Sequence, residues 1–368
     1  MSRTDNFFNL IFDDATLTKL LIFEQYIKSW LPVFIKQQED YIYIFDFFAG
    51  VGCDSQNNPG SPIRILSQIK VYQHIIHKTK IKLFFNECKK KYYEKLKFNC
   101  DNYLKDNPTL NKTVKINYFN EDFENNFNKL KDNIGERPSL VFMDQFGVKY
   151  SKHIIEFEKF QKTDFLIFVS SSFLKRFART EEFKNSLNLT DEEINRLINT
   201  PYKLIHEATL NFLKGRLSDD SPIKLYPFSI KKGKNIYGLI FGSKHILAAE
   251  KFLKIVWKIS SDNGSANYDI YNDKDKKEPN LFPELVGKTT LESFQEELEE
   301  KILNREIETN KDAYYYTLRK GHIPKHAMDV LKKLKKHKKI FYNSSAPLIT
   351  YDNVVKNRRI IKYEKIKD

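Results

Sequence analysis

The run Phe45-Asp46-Phe47-Phe48-Ala49-Gly50-Val51-Gly52 sets an apolar stretch against the pattern D-x-F-A-G-x-G. It reads as a buried strand entering a glycine turn. Gly50 and Gly52 accept positive φ and let backbone amides approach a ligand closely. The third glycine of a dinucleotide fingerprint is missing, which disfavours NAD. Glu87 closes the next apolar run, KIKLFFNE (80–87), where a carboxylate accepts hydrogen bonds from ribose hydroxyls. It lies much farther from Asp46 than the ~20 residues of the dinucleotide pattern. An insertion over 53–79, with its own Gly60-Ser61-Pro62 turn and a helix, accounts for the excess. Asp122, in Asn120-Glu121-Asp122-Phe123, is placed to contact an adenine amino group. All three acids fall at carboxyl ends of strands, where open α/β sheets bind ligands, so together they predict a nucleoside-type cofactor pocket.

A fourth apolar run ends Val141-Phe142-Met143-Asp144-Gln145-Phe146-Gly147. An acid, an amide and an aromatic delivered at one strand tip suit a flat, amine-bearing ring: Asp144 accepts from the amine and Phe146 stacks. Ser170, Ser171 and Ser172 finish the next strand on the same rim, and Lys175 and Arg176 follow, placed to meet a phosphate backbone.

The elements that must position these residues are legible in the spacing. Leu20, Phe23, Ile27 and Leu31 predict a helix over 16–36, and Ser61 as N-cap with Pro62 predicts one over 61–77. Strands are expected over 41–50, 80–87, 113–123, 139–147 and 163–172, with helices over 88–106, 124–134, 190–200 and 201–217. Residues 224–232 and 236–243 flank Gly233-Lys234-Asn235 as a hairpin, and a helix over 245–259 follows. Apolar strands alternating with helices mean a mostly parallel sheet covered on both faces, here closed by an antiparallel edge hairpin. This domain is expected to run from residue 1 to 260, with a polar linker over 261–289.

Residues 290–368 read differently. An acidic helix (290–305), a short helix (312–321), a basic helix (322–340) and two strands (339–342 and 358–366) follow the order of a winged helix-turn-helix. The chain carries 62 Lys+Arg against 48 Asp+Glu, a net charge of +14. Residues 311–368 alone hold 16 basic residues against five acidic ones, so most of the surplus sits in the last sixth of the chain. Lys325, Lys332, Lys333, Lys335 and Lys336 surround the apolar stripe of the basic helix, and Arg358 and Arg359 lie in the expected wing. Nucleic acid is the partner this predicts, held by salt-dependent phosphate contacts.

Three cysteines, Cys53, Cys88 and Cys100, lack the spacing of a zinc or redox site, and no metal is expected. No run of ~18 uncharged apolar residues suggests a membrane span, and Asp5, Asp13 and Asp14 interrupt what would otherwise be a leader. A cytoplasmic protein is expected. No acid cluster with a neighbouring lysine supports a nuclease.

DFFAGVG (46–52), GSPIRIL (60–66), FFNE (84–87), FMDQFG (142–147) and YGLIFGSKHILAAEKFLKIVW (237–257) together resemble the three-Cys-motif partner proteins, the TcmP family. The resemblance spans nearly the whole chain. It implies a class I S-adenosylmethionine-dependent methyltransferase with a Rossmann-like sheet. Asp46, Phe48, Ala49, Gly50 and Gly52 would surround the cofactor, with Glu87 on its ribose and Asp122 near its adenine. It also puts Asp144 where amino-methyltransferases carry the acid or amide of D/N-P-P-Y/F/W, followed by Gln145 and Phe146. Gln145 stands where the family usually has proline. The expected function is methyl transfer from S-adenosylmethionine to a base amino group of DNA or RNA. The alternative is a non-catalytic adaptor that brings a radical-SAM-like three-Cys-motif partner to nucleic acid.

Overall fold

The computed structural model describes residues 11–145, 147–277 and 287–366. Compactness divides the chain into two units, Met1–Ala248 and Ala249–Asp368.

In the first unit, α1 (Asp14–Lys36) precedes β1 (Tyr41–Asp46), α2 (Ser61–Tyr72), β2 (Lys80–Asn86), α3 (Lys90–Asp106), β3 (Val114–Phe119), α4 (Phe123–Leu130) and β4 (Ser139–Asp144). A long 3-10 segment, Lys149–Glu158, leads to β5 (Thr163–Val169). Then come α5 (Ser171–Phe177), α6 (Glu181–Leu187), α7 (Asp191–Asn199), α8 (Ile205–Lys214) and the hairpin of β6 (Lys224–Lys232) and β7 (Asn235–Ser243). The sheet order is β3-β2-β1-β4-β5-β7-β6. Strands β1 to β5 pair in parallel, while β7 runs antiparallel to both β5 and β6. This is the mostly parallel Rossmann-like sheet that the sequence predicts. The hairpin does close the edge, but its antiparallel strand lies inside it and β6 forms the margin.

The strands are apolar because both faces are covered. Ile42, Ile44, Phe45, Leu140, Val141, Phe142, Leu166 and Ile167 are buried, as are Leu20, Phe23, Ile27 and Leu31 of α1. The chain reverses direction across the sheet between β1 and β4, which are neighbours, so their carboxyl ends flank the switch point.

The first unit departs from expectation at two helix starts near the site. Gly60, not Ser61, caps α2. Ser61 is buried near the Asp46 carboxyl, whose pKa it pulls down. The strand expected over 163–172 ends at Val169, because Ser171 and Ser172 already belong to α5.

The second unit holds most of α9 (Ile246–Ile259), then α10 (Asp273–Lys277), α11 (Thr290–Leu303), α12 (Asn310–Arg319), α13 (Pro324–Lys336), β8 (Ile340–Phe341) and β9 (Glu364–Lys365). The expected boundary at residue 260 therefore falls later than the division between units. In α9, Trp257 Nε1 donates to the Gly321 carbonyl at 2.8 Å. The expected linker over 261–289 is not a free tether where it is described. Asn263, Ala266, Ile270 and Asp273 are buried, and Asp273 accepts from the Thr290 hydroxyl and amide at the start of α11. Residues 278–286 lie outside the described residues.

Both α11 and α12 open with capping boxes, Thr289 with Glu292 and Thr309 with Asp312. Leu298, Ala313, Leu318, Ala327, Leu331 and Leu334 make the three-helix core. The strand pair after α13 joins Ile340 to Lys365 and Phe341 to Glu364. A single bridge from Thr309 to Lys362 adds the segment before α12. Helix, bridging segment, helix, helix and hairpin compose a winged helix-turn-helix. The strand expected over 358–366 is cut to Glu364–Lys365, because residues 361–363 spend their backbone groups on residues 308–310.

Candidate functional site

Asp46 ends β1 completely buried. One of its oxygens accepts from the Phe48 amide at 3.2 Å, and Oδ2 has no hydrogen-bond partner among the described residues. Burial pushes its pKa up to about 7; Ser61 and the Phe48 amide pull down, Asp144 pushes up, and Lys19 pulls down. Gly50 (φ +62°) and Gly52 (φ +89°) then carry the turn through the left-handed region, as their residue type predicts. The Gly60 amide closes the loop on the Gly52 carbonyl at 2.8 Å.

The turn is stitched to the tips of the next two strands by asparagines that the sequence analysis did not single out. The Ala49 amide donates to the Asn86 carbonyl at 2.9 Å. Asn86 Nδ2 donates to the carbonyls of Phe47 (3.3 Å) and Glu121 (3.1 Å), and Asn120 Nδ2 to those of Glu87 (2.8 Å) and Cys88 (3.0 Å). Glu87 is thereby fixed at the corner where these strands meet. Its carboxylate accepts the Lys89 amide at 2.8 Å. Burial raises its pKa, against the pull of the Lys89 amide, the Cys88 thiol, the Lys89 charge and the Gly50 amide.

Asp122 is exposed and caps α4, accepting from the Asn125 amide at 3.1 Å and from the Asn125 side chain. Beside it, Phe48 stacks on Phe123 (5.3 Å, 14°), and Tyr150 packs tilted against Phe123 at 4.5 Å and Phe48 at 5.7 Å. Burial and the charges of Glu124, Asp122 and Cys88 raise the Tyr150 pKa.

At the β4 tip, Asp144 Oδ2 meets the ammonium of Lys19 on α1 at 2.5 Å; the two side chains are 23% and 8% exposed. Lys19 also sits over the Phe168 ring, 4.4 Å from its centroid, and Phe168 stacks on Tyr237 (5.6 Å, 7°). Gln145 is buried; its side-chain Oε1 accepts from the Tyr150 amide at 2.7 Å, while Nε2 has no partner among the described residues. Phe146 lies outside the described residues. Gly147 (φ +89°) turns the chain, and its carbonyl accepts from the Ser170 amide at 2.9 Å, which ties the β4 and β5 tips together.

Other residues near this rim have structural partners. Ser171 Oγ meets His206 Nδ1 at 2.8 Å, and His206 Nε2 meets the Leu239 carbonyl at 3.0 Å, all buried. Burial lowers the His206 pKa to about 4. The neutral ring therefore donates through Nε2 and accepts from the serine, a buried strut against Gly238, where any Cβ would strike the imidazole. The Lys175 ammonium is held by the Thr200 carbonyl, and Arg176 donates to Asn235 at 3.1 Å.

In the winged helix, the predicted lysines part into two groups. Lys335 donates to the carbonyls of Tyr342 (3.1 Å) and Ser344 (2.8 Å) and lies over the Tyr342 ring, clamping the chain after β8. Lys333 pairs with Glu299 of α11 at 3.2 Å. Lys325, Lys332 and Lys336 are exposed on one outward stripe of α13, and Arg358 and Arg359 are exposed before β9. None of these five has an ion-pair partner among the described residues.

Among the described residues, no three His, Cys, Asp or Glu side chains are grouped to hold a metal ion. No described helix is long and apolar enough to cross a membrane.

Residues 271–347 match the family model of the GMT-like wHTH domain, wHTH being winged helix-turn-helix. No curated protein matches the chain. Among solved structures, it is similar to the O-methyltransferase TomG from Streptomyces achromogenes, involved in tomaymycin synthesis and solved in complex with SAM. The identity is 10% over 65% of this chain and 93% of that one, with a TM-score of 0.30. A putative O-methyltransferase from Klebsiella pneumoniae matches at 11% identity over 66% and 96% of the two chains, TM-score 0.31. An O-methyltransferase family protein from Burkholderia thailandensis matches at 14% over 62% and 56%, TM-score 0.27. The fold rests on the strand order, and the second unit on the family match and its own element order.

Proposed function

We propose that the chain is an S-adenosylmethionine-dependent methyltransferase acting on a base amino group of nucleic acid, which its winged helix holds. One observation carries the reading: the glycine turn after β1 and the acid after β2 meet, the Ala49 amide donating to the Asn86 carbonyl at 2.9 Å and the Lys89 amide to the neighbouring Glu87 carboxylate at 2.8 Å. A turn of positive-φ glycines beside a strand-end carboxylate fits a ribose and the amino-acid tail of the cofactor. The unpartnered oxygen of buried Asp46 fits a polar group delivered to the tip of β1.

Gly50 and Gly52 would admit the cofactor close to the backbone, Glu87 would hold its ribose hydroxyls, and Asp122 with the Phe48–Phe123–Tyr150 cluster would border its adenine. The cofactor supplies an electrophilic methyl on a sulfonium, ready for a nitrogen lone pair. Asp144 orients that nitrogen through an N–H hydrogen bond. Positioning supplies most of the acceleration in such a transfer. Lys325, Lys332, Lys336, Arg358 and Arg359 would grip phosphates.

The test is tritiated methyl transfer to DNA and to RNA by the full chain and by Asp144→Ala. Incorporation into one nucleic acid, lost in the variant while cofactor affinity is kept, supports the reading. Binding of nucleic acid with no heat on titration of S-adenosylmethionine supports the adaptor instead.

A further inference from the structure

Lys19 is a lysine buried at the carboxyl edge of the sheet, where it pairs with Asp144. Replacing a buried ion pair with apolar groups is often neutral or stabilising, so its burial is weak evidence of a stabilising role. Its place is informative: Asp144 and Asp46 end the two strands that flank the switch point. Lys19 holds one oxygen of Asp144, Oδ2, at 2.5 Å and is itself steadied over the Phe168 ring, which Tyr237 backs. Oδ1 has no hydrogen-bond partner among the described residues. The less exposed lysine supports the more exposed acid from behind.

We propose that Lys19 is the positioning residue of the acceptor site: bound to one oxygen of Asp144, it turns the other towards the substrate and so selects an acceptor that donates a hydrogen bond, an amine on a planar base. This rests on the reading of Asp144 given above. An oxyanion or thiolate acceptor has no hydrogen to give and would face the carboxylate charge. Asp144, already engaged by an ammonium, serves to orient and not to abstract; the methylated nitrogen sheds its surplus proton to water.

The experiment compares the full-length wild type with Lys19→Arg, Lys19→Met, Asp144→Asn and the Lys19→Met/Asp144→Asn pair. The probes are S-adenosylmethionine and single-stranded oligonucleotides rich in adenine or cytosine. Lys19→Met is expected to lower kcat about 100-fold, the scale of a misplaced group, with KM for the oligonucleotide and Kd for S-adenosylmethionine nearly unchanged. Lys19→Arg should recover most of the rate, and the double variant should be no slower than Asp144→Asn alone. A readout independent of turnover is the nitrogen-15 signal of the Lys19 ammonium, slowed in exchange by the pair and lost in Asp144→Asn. If Lys19→Met lowers the cofactor affinity or the melting temperature of the fold so far that kcat cannot be read, the double variant, which leaves no unpaired charge, decides. Full kcat in Lys19→Met, or a double variant much slower than Asp144→Asn, overturns the inference and leaves the methyltransferase reading intact. A wild type that binds S-adenosylmethionine but methylates neither oligonucleotide overturns the acceptor reading, and this inference with it.

Discussion

The Ala49 amide, in the turn after β1, donates to the carbonyl of Asn86 at the end of β2 at 2.9 Å, which sets the glycine turn and Glu87 at one corner. Everything proposed for the first unit depends on that corner, and the surrounding groups give it measurable consequences.

Asp46 titrates near pH 7 in the folded chain and near 3.8 when unfolded. Between those values the folded state binds the extra proton, so this group adds stability as pH falls from 7 towards 4 and costs stability above 7. Asp46→Asn removes the charge. Its melting temperature relative to wild type is expected to rise as pH increases from about 4.5 towards 7 and to level off above 7, in paired thermal melts from pH 4.5 to 8.5. Parallel curves would show that the carboxyl is not forced neutral by burial.

The second unit should respond to acid with the opposite sign. His322 and His326 lie with their Nδ1 atoms 3.1 Å apart, packed on Phe294 and Trp257. Burial, helped by the neighbouring His326 charge, lowers His322 to about 3, and burial with Lys325 lowers His326 to about 4. The unfolded chain takes these protons near pH 6.5 and the folded one does not, so stability is present above 6.5 and is lost as pH falls towards 4. His322→Gln with His326→Gln should flatten that decline in denaturant titrations at pH 7, 6 and 5. An unchanged slope would clear the pair of responsibility for it.

Charge at the winged helix divides by partner. Lys325, Lys332 and Lys336 to alanine should reduce the slope of log affinity against log salt by roughly 0.9 per lysine for duplex DNA, in fluorescence anisotropy, with little change in melting temperature. Lys335→Ala should instead lower the melting temperature, since its ammonium holds the Tyr342 and Ser344 carbonyls. Equal slopes for wild type and the triple variant would place the contact surface elsewhere.

The sheet, and the strand ends that carry the candidate residues, were legible because their signals are local. Apolar strands, a glycine turn and acids at strand ends are read from neighbouring residues, and the β6–β7 hairpin is announced by Gly233. What sequence could not show depends on long-range pairing. Lys19 lies 125 residues from Asp144, and on an amphipathic helix it reads as an outward lysine. Asn86 and Asn120 look like frayed strand ends, yet they join three strand tips. Ser61 reads as a helix cap until the buried Asp46 beside it is seen. Arg358 to Ile366 looks like one strand because its branched residues favour one, but its backbone is claimed by the segment before α12.

Titration calorimetry of S-adenosylmethionine against the full-length wild type and Glu87→Ala tests the central claim most directly. One binding site in the wild type, weakened about 10- to 100-fold in the variant as expected for losing charge-assisted hydrogen bonds, is the predicted result. Equal affinity in the two proteins, or no heat from either, would contradict a cofactor held at the Gly50–Glu87 corner.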